Sequence, residues 1–350
     1  AKSWLLWCGD LRWPCTWWAK PRAGLKILGL LAQMVRTGPQ VWAQTSTVIG
    51  MNESITSQQQ AAREAHNDVR HAPGTAHSEQ ARESESYTHG HHASVLRSHR
   101  WRTAANSAGY LTPHLSAGMS ILDVGCGPGT LTIDLARVVA PGHVTGVDAS
   151  DDVLERAREV LAESEVTNVS FEHANAYSLP FADASFDVVH AHQVLQHLSD
   201  PVAAIKEMVR VAKPGGIVAV READYASMSW FPQSHGLDEW NTLYHEVTSA
   251  YGYEADAGRR LLHWFQGAGV DPKSLYPSAG IWCYSTPESR EWWGQLWAER
   301  CVESNFAVQA KEASLADDVA LEELAHEWRT WSEQPDGWFM VPNGEIIARV

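Results

Sequence analysis

The chain has 350 residues, of which 44% are hydrophobic and 20% are charged, and its formal net charge at pH 7 is −15. This length permits one large core, or one core with an appended cap, and no apolar run approaches the length of a membrane-spanning helix. The acidic balance argues against direct nucleic-acid binding, and five cysteines without a CxxC pair argue against a disulfide framework or a zinc site, so no metal site is predicted.

Residues 1–86 differ in composition from the rest of the chain. Residues 1–50 contain six of the 17 tryptophans and have no acidic residue after Asp10. Three interpretations stay open: sequence upstream of a start at Met51, an organelle transit peptide, or a membrane-surface anchor. We favour the first, a non-native or disordered extension, which predicts a cytoplasmic or nuclear location. Only a genuine transit peptide would predict a mitochondrial location. Residues 51–86 are polar and are predicted to be a disordered leader.

Residues 87–223 show the pattern of an α/β core. A helix is predicted over Val95–Tyr110, and short β-branched strands then alternate with amphipathic helices. The predicted strands are Ser120–Val124, Val144–Val147, Val169–Glu172, Phe186–Ala191 and Ile217–Val220. The predicted helices are Leu131–Val139, Asp151–Ala162 and Val202–Ala212, the last ended by a turn at Lys213–Gly216. This alternation predicts parallel βαβ units and a doubly wound sheet.

The alternation ends after Arg221. Residues 224–350 are therefore predicted to form a cap, together with C-terminal strands that complete the sheet. The tryptophans between Trp230 and Trp297 could line an apolar pocket, although Trp at helical spacing more often packs in a core. The segment Trp338–Val350 predicts two extended pieces around a Pro-Asn-Gly turn.

A glycine loop joins the first predicted strand to the first predicted helix of the core. The loop contains Gly125, Gly127 and Gly129, which permit a sharp turn and a close ligand approach. The N–H groups at the start of the next helix favour an anion. The GxGxG spacing and the acidic Asp123 differ from the dinucleotide pattern. An acid there suits an ammonium group of a ligand, held directly or through water.

An acidic residue also ends the second predicted strand. Asp148 lies in Gly146-Val-Asp148, where a carboxylate can accept hydrogen bonds from both ribose hydroxyls of a nucleoside. The alternative is that Asp148 only caps the following helix, but Ser150 and Asp151 already supply that function. We therefore favour the ribose interpretation.

These two stretches resemble the class I S-adenosylmethionine-dependent methyltransferases, and more narrowly the ubiquinone/menaquinone-biosynthesis type and the related fungal group. Further matching stretches lie between residues 87 and 220. They are Tyr87-Thr-His-Gly90, His99-Arg-Trp-Arg102, Leu179-Pro-Phe181, Ser185-Phe-Asp187, Val194-Leu-Gln-His-Leu198 and Val211-Ala-Lys-Pro-Gly-Gly216. The resemblance implies a Rossmann-like class I methyltransferase sheet, a helical cap after the fifth strand, and S-adenosyl-L-methionine as cofactor.

The resemblance also implies a set of cofactor-binding residues. They are Tyr87 (as part of a lid), Asp123, Gly125, Cys126, Gly127, Gly129, Asp148, Ala149, Asn175, Ala176, His192 and Gln193. One position departs from the family pattern, which has Gly-Asp-Ala after the third strand where this chain has Ala174-Asn-Ala176. Asn175 can still accept a hydrogen bond from the adenine amino group, but without charge.

Methyl transfer from a sulfonium needs alignment more than it needs protein acid–base chemistry. If the acceptor must lose a proton, the candidate bases are His192 after the fourth strand, and Glu222 and Tyr225 after the fifth. The leading hypothesis is a methyltransferase for a small, lipophilic or aromatic acceptor. The alternatives are a protein methyltransferase, a catalytically silent cofactor-binding regulator acting through a protein partner, and, more distantly, a nicotinamide oxidoreductase.

Overall fold

Five parallel strands form one side of an eight-stranded sheet in the computed structural model, which describes residues 101–350. The strand order is β3-β2-β1-β4-β5-β8-β6, and β7 pairs with β8 beside this path. The strands are β1 (Ile121–Val124), β2 (Val144–Asp148), β3 (Val169–His173), β4 (Phe186–His192), β5 (Ala212–Ala223), β6 (Ser229–Phe231), β7 (Leu275–Tyr284) and β8 (Trp338–Arg349). The order of the strands reverses between β1 and β4, and ligands bind at the carboxyl edge of such a reversal.

Helices cover both faces of this sheet and also build a cap. They are α1 (Ala104–Ser107), α2 (Thr130–Val139), α3 (Asp151–Ala162), α4 (Pro201–Val211), α5 (His235–Ala250), α6 (Ala257–Gly267), α7 (Pro287–Glu303), α8 (Asn305–Glu312) and α9 (Asp318–Ser332). Helices α1, α2 and α3 pack on the face that carries Ile121. Helices α4 and α6 pack on the face that carries Leu122. The predicted doubly wound α/β fold is therefore confirmed.

Local sequence explains where the core elements begin and end. All four residues of β1 are buried, as expected for a parallel strand covered on both faces. Helix α3 begins after Ser150, whose side chain accepts a hydrogen bond from the Val153 N–H. Helix α4 begins with Pro201 behind the cap residue Asp200, which accepts from the Ala203 N–H. The predicted strands and helices from β1 to α4 agree with the structure within two residues.

Three local predictions are wrong. The helix predicted over Val95–Tyr110 is reduced, among the described residues, to α1, because Thr103 caps a new start there and forms a capping box with Asn106. The turn predicted at Lys213–Gly216 lies inside β5, where the Gly215 N–H donates to the Val350 carbonyl. The break predicted at the Pro-Asn-Gly turn within Trp338–Val350 is absent, because β8 continues through it and pairs there with both β5 and β7.

The cap has an aromatic core of its own. Trp240, Trp297 and Trp328 are fully buried and contact one another, with ring centroids 4.5 to 5.8 Å apart. They join α5, α7 and α9 into one layer, and Phe339 of β8 packs against Trp328. These tryptophans are core residues, as their helical spacing indicates. Within residues 101–350, no helix is long and apolar enough to cross a membrane.

Candidate active site

The glycine loop lies at the carboxyl end of β1 and turns through left-handed backbone conformations. Gly125, Gly127 and Gly129 have φ values of 67°, 55° and 77°, which favour glycine. A Cβ at Gly125 would overlap the Val194 side chain, and one at Gly129 would lie 2.5 Å from Phe171 Cζ. Two of the glycines are therefore required by packing inside the protein, in addition to any approach of a ligand.

The start of α2 fits an anion. Gly129 is the N-cap residue and has no side chain, and no side chain of the described residues caps this helix end. The first-turn N–H groups of a helix carry partial positive charge and favour a carboxylate or phosphate. The methionine carboxylate of S-adenosylmethionine suits this position. Cys126 beside it is buried, and burial raises the pKa of its thiol, so it packs as a neutral residue.

Asp148 ends β2 and faces the same loop. Its Oδ2 accepts from the Gly127 N–H and its Oδ1 from the Ser150 N–H, both at 3.1 Å. The carboxylate is half-buried, and a carboxylate has about four lone-pair sites, so ribose hydroxyls can also donate to it. The following Ala149 is exposed. Sequence reasoning missed that Asp148 also anchors the glycine loop.

Asp123 lies beneath the loop in a buried hydrogen-bond network. Its carboxylate accepts from the Thr132 hydroxyl at 2.6 Å and lies 2.8 Å from His190 Nδ1. Asp123 and His190 are register partners on β1 and β4. The predicted contact with an ammonium group stays a prediction, and it would use the lone pairs that these partners leave. The alternation of His190 and His192 within an apolar strand is a signal that could have identified His190.

Asn175 and Ala176 follow β3 at the same edge of the sheet. The Asn175 side-chain oxygen accepts from the Tyr177 N–H at 2.9 Å, and both residues are half-buried. This turn orders the loop that is predicted to contact adenine. The adenine contact itself stays a prediction.

His192 ends β4, and Gln193 follows it. Gln193 has a φ of 54°, and its N–H donates to the Arg221 carbonyl at 2.8 Å. Its side chain accepts from the Arg102 guanidinium and donates to Asn343 Oδ1 at 3.2 Å. The buried His192 ring meets the Trp282 ring edge-on, with centroids 5.7 Å apart. Gln193 therefore connects the core strand to segments that are distant in sequence.

Glu222, near the end of β5, and Tyr225, just after it, have structural partners. Glu222 Oε1 accepts from the N–H groups of Val194 and Leu195 at 3.0 and 2.8 Å, and Glu222 Oε2 accepts from that of Gln196 at 3.4 Å. Tyr225 stacks on Tyr244 with centroids 3.9 Å apart. Glu222 thus holds the short turn after β4, and catalytic roles for Glu222 and Tyr225 stay predictions.

Burial of Glu222 makes stability depend on pH. Burial raises its pKa to about 7, against the opposing effect of the backbone N–H groups of Leu195, Val194 and Gln196. The folded state therefore binds the proton more tightly than the unfolded state, and this group's contribution to stability falls as pH rises. From about pH 5 to about pH 7.5, the Glu222 contribution should fall by about 2 kcal/mol.

Urea unfolding at both pH values checks this expectation. The Glu222→Gln variant keeps an acceptor oxygen but does not titrate, so its free energy of unfolding should fall less with rising pH. Equal pH dependence in the variant and the unmodified protein would contradict the assignment.

Comparisons with known proteins place this geometry in a family. The family model described as a methyltransferase domain matches residues 115–269. An uncharacterized methyltransferase of Schizosaccharomyces pombe is 35% identical over 269 residues, which cover 75% of this chain and 96% of that protein. The chain is a class I S-adenosylmethionine-dependent methyltransferase.

Two further relatives support the family. The methyltransferase is 28% identical over 282 residues to the probable methyltransferase ltbC of Aspergillus luteorubrus, covering 76% of this chain and 98% of that one. It is 43% identical over 121 residues to a demethylmenaquinone methyltransferase of Staphylococcus aureus, covering 34% of this chain and 49% of that one. The resemblance inferred from the sequence is confirmed, and the cofactor is S-adenosylmethionine.

The methyltransferase fold brings most of the predicted residues to one edge. The residues that follow β1, β2, β3 and β4 all lie at the carboxyl ends of adjacent parallel strands. Tyr87 lies outside the described residues. The sequence did not assign Arg102, His190 or Asn343 to the site. Arg102 and Asn343 reach this edge from outside the βαβ units. Trp282 also does so, as one of the tryptophans between Trp230 and Trp297 that could line a pocket.

Proposed function

We propose that the methyltransferase acts on a small, lipophilic or aromatic acceptor that binds beyond the carboxyl end of β4. The observation that carries this proposal is a group of aromatic rings beside His192. Trp282 lies edge-on to His192, and Trp101 lies 5.4 Å from Trp282 and 5.9 Å from Tyr284 between ring centroids. Rings arranged in this way suit a planar apolar acceptor.

Methyl transfer requires the cofactor and the methyl acceptor to be aligned at this position. The cofactor supplies an activated methyl group, and the protein binds both partners in line and excludes water. The glycine loop and Asp148 are proposed to fix the cofactor, and the aromatic rings to orient the acceptor. His192 ends β4, between the cofactor loop and the aromatic rings. Where the methyl acceptor must lose a proton, His192 is the candidate base.

One of the relatives, the demethylmenaquinone methyltransferase, supports an aromatic acceptor. The Staphylococcus aureus protein is by its name a methyltransferase of demethylmenaquinone, a quinone. Its match covers 34% of this chain, so it supports the class of acceptor and not its identity. No observation favours the protein-methyltransferase alternative. The large groove between α5 and α9, lined by residues such as Asp238, Glu246 and Glu323, includes none of the predicted cofactor residues within 101–350.

Labelled methyl transfer tests this proposal. The purified protein and methyl-labelled S-adenosylmethionine are incubated with a small-molecule extract and, separately, with the protein fraction of the same extract. Label in a small aromatic product, identified by mass, supports the proposal. Label confined to protein would support the alternative acceptor class. Tight cofactor binding without transfer to either fraction would support a silent regulator.

A further inference from the structure

One face of the sheet carries a polar row that crosses four strands beside the candidate active site. His192 of β4 is the register partner of Arg221 on β5, and Arg221 is the partner of Glu345 on β8. Glu345 is in turn the partner of Ser278 on β7. Partners in register point to the same face, so these side chains form a continuous row.

The row continues into aromatic side chains past the end of β4. Trp282 and Tyr284 alternate inward on β7 and are both buried. The Arg221 guanidinium lies 4.5 Å from the centre of the Trp282 ring, and Trp101 packs against both aromatic residues. The aromatic group proposed to hold the acceptor is therefore adjacent to a buried cation.

Three buried hydrogen-bond donors in this region have no partner. The hydroxyls of Tyr110 and Tyr284 and the Nη1 of Arg221 are buried, and none has a hydrogen-bond partner in the part of the chain that the structure describes. The nearby carboxylate, Glu345, already accepts from Arg221 Nε at 3.1 Å and from the Ser278 hydroxyl at 2.9 Å. Unpaired buried donors cost free energy, so a ligand that supplies an acceptor oxygen here would recover that cost.

The charged side chains that act on Tyr284 are positive. Burial raises the pKa of the Tyr284 phenol, although the guanidinium groups of Arg102, Arg221 and Arg300 act in the opposite direction. The phenol therefore stays protonated and can donate. Arg300 is buried in the cap, with its guanidinium carbon 5.0 Å from the centre of the Trp297 ring. Three cations thus act on one unpaired hydroxyl in a chain whose net charge is −15.

We propose that the hydroxyl of Tyr284 and the guanidinium of Arg221, here called the donor pair, bind a carboxylate on the aromatic acceptor. This inference rests on the proposed function and narrows it to an anionic substrate class. Tyr284 is a specificity-determining residue: its O–H donates to one carboxylate oxygen, and Arg221 Nη1 donates to the same group. The cofactor also carries a carboxylate, so the experiment must separate the two sources.

Calorimetry and tryptophan fluorescence supply the test. S-adenosylhomocysteine is first titrated into the unmodified protein by calorimetry. Benzoate and the uncharged benzamide are then each titrated into that complex, and binding is followed through tryptophan fluorescence. We expect benzoate to bind at least about 10-fold more tightly than benzamide, as charge-assisted hydrogen bonds require.

Two single-hydroxyl variants isolate the contribution of Tyr284. Tyr284→Phe should lower benzoate affinity about 10-fold and leave the affinity for S-adenosylhomocysteine unchanged. Tyr276→Phe is the matched control, since Tyr276 lies on the same strand but is 56% exposed, and it should change neither affinity. Without ligand, Tyr284→Phe should melt at the same temperature or higher, because it removes an unpaired buried hydroxyl.

The possible outcomes are distinct. Equal binding of benzoate and benzamide, or no binding of either, would overturn this inference alone. An equal loss of S-adenosylhomocysteine affinity in Tyr284→Phe would overturn it as well, because the donor pair would then hold the cofactor carboxylate. Failure of the unmodified protein to bind S-adenosylhomocysteine would overturn the proposed function, and this inference with it.

Discussion

Replacing Asp148 with alanine should weaken S-adenosylhomocysteine binding about 100-fold. If the carboxylate accepts hydrogen bonds from both ribose hydroxyls, two charge-assisted bonds of about 1.5 kcal/mol each are lost, which is about 3 kcal/mol. The variant also loses the bonds from the Gly127 and Ser150 N–H groups, which loosens the loop. Calorimetric titration of the ligand into the purified variant measures the effect.

A ribose-modified ligand separates the two contributions of Asp148. The 2′-deoxy analogue of S-adenosylhomocysteine should bind the unmodified protein more weakly than the parent ligand does. In Asp148→Ala, the two ligands should bind equally, because the carboxylate that distinguishes them is gone. Asp151→Ala is the control, since Asp151 is exposed in the first turn of α3. A variant that still discriminates between the two ligands would refute the ribose contact.

The sequence predicted the elements whose signals are local. The strand into the glycine loop, the capped start of α3 and the acid at the end of β2 each lie within a few adjacent residues, and all three occur as predicted. The carboxyl edge of the sheet then follows from the alternation of strands and helices. Most of the predicted cofactor residues could therefore be placed without knowledge of distant contacts.

The acceptor side could not be predicted in the same way. Trp282 and Tyr284 lie on β7, which is brought to the site by its antiparallel pairing with β8. Asn343 meets Gln193 across 150 residues of sequence. The position of Arg221 after the apolar run Ile217–Val220 was a local signal for a buried charge. Its partner Glu345, however, is 124 residues away, and nothing in local patterning connects the two.

Replacing Gly129 with alanine should destabilise the fold by about 3 kcal/mol, measured by urea unfolding. Two costs add at this position. A left-handed conformation costs an alanine about 1 kcal/mol, and Gly129 has a φ of 77°. The new Cβ would also lie 2.5 Å from Phe171 Cζ and 3.1 Å from the Ala157 Cβ, and such overpacking costs about 2 kcal/mol.

Gly215→Ala is the matched control for this prediction. Gly215 has a similar φ of 80°, but a Cβ there would have no atom within 4 Å. It should therefore cost only the conformational part, about 1 kcal/mol. The difference between the two variants measures how tightly Phe171 of β3 packs beneath the loop, since Phe171 is buried in the core beside Gly129. Equal losses would mean that Phe171 moves aside without cost, and the loop would then be less rigid than a preformed cofactor site requires.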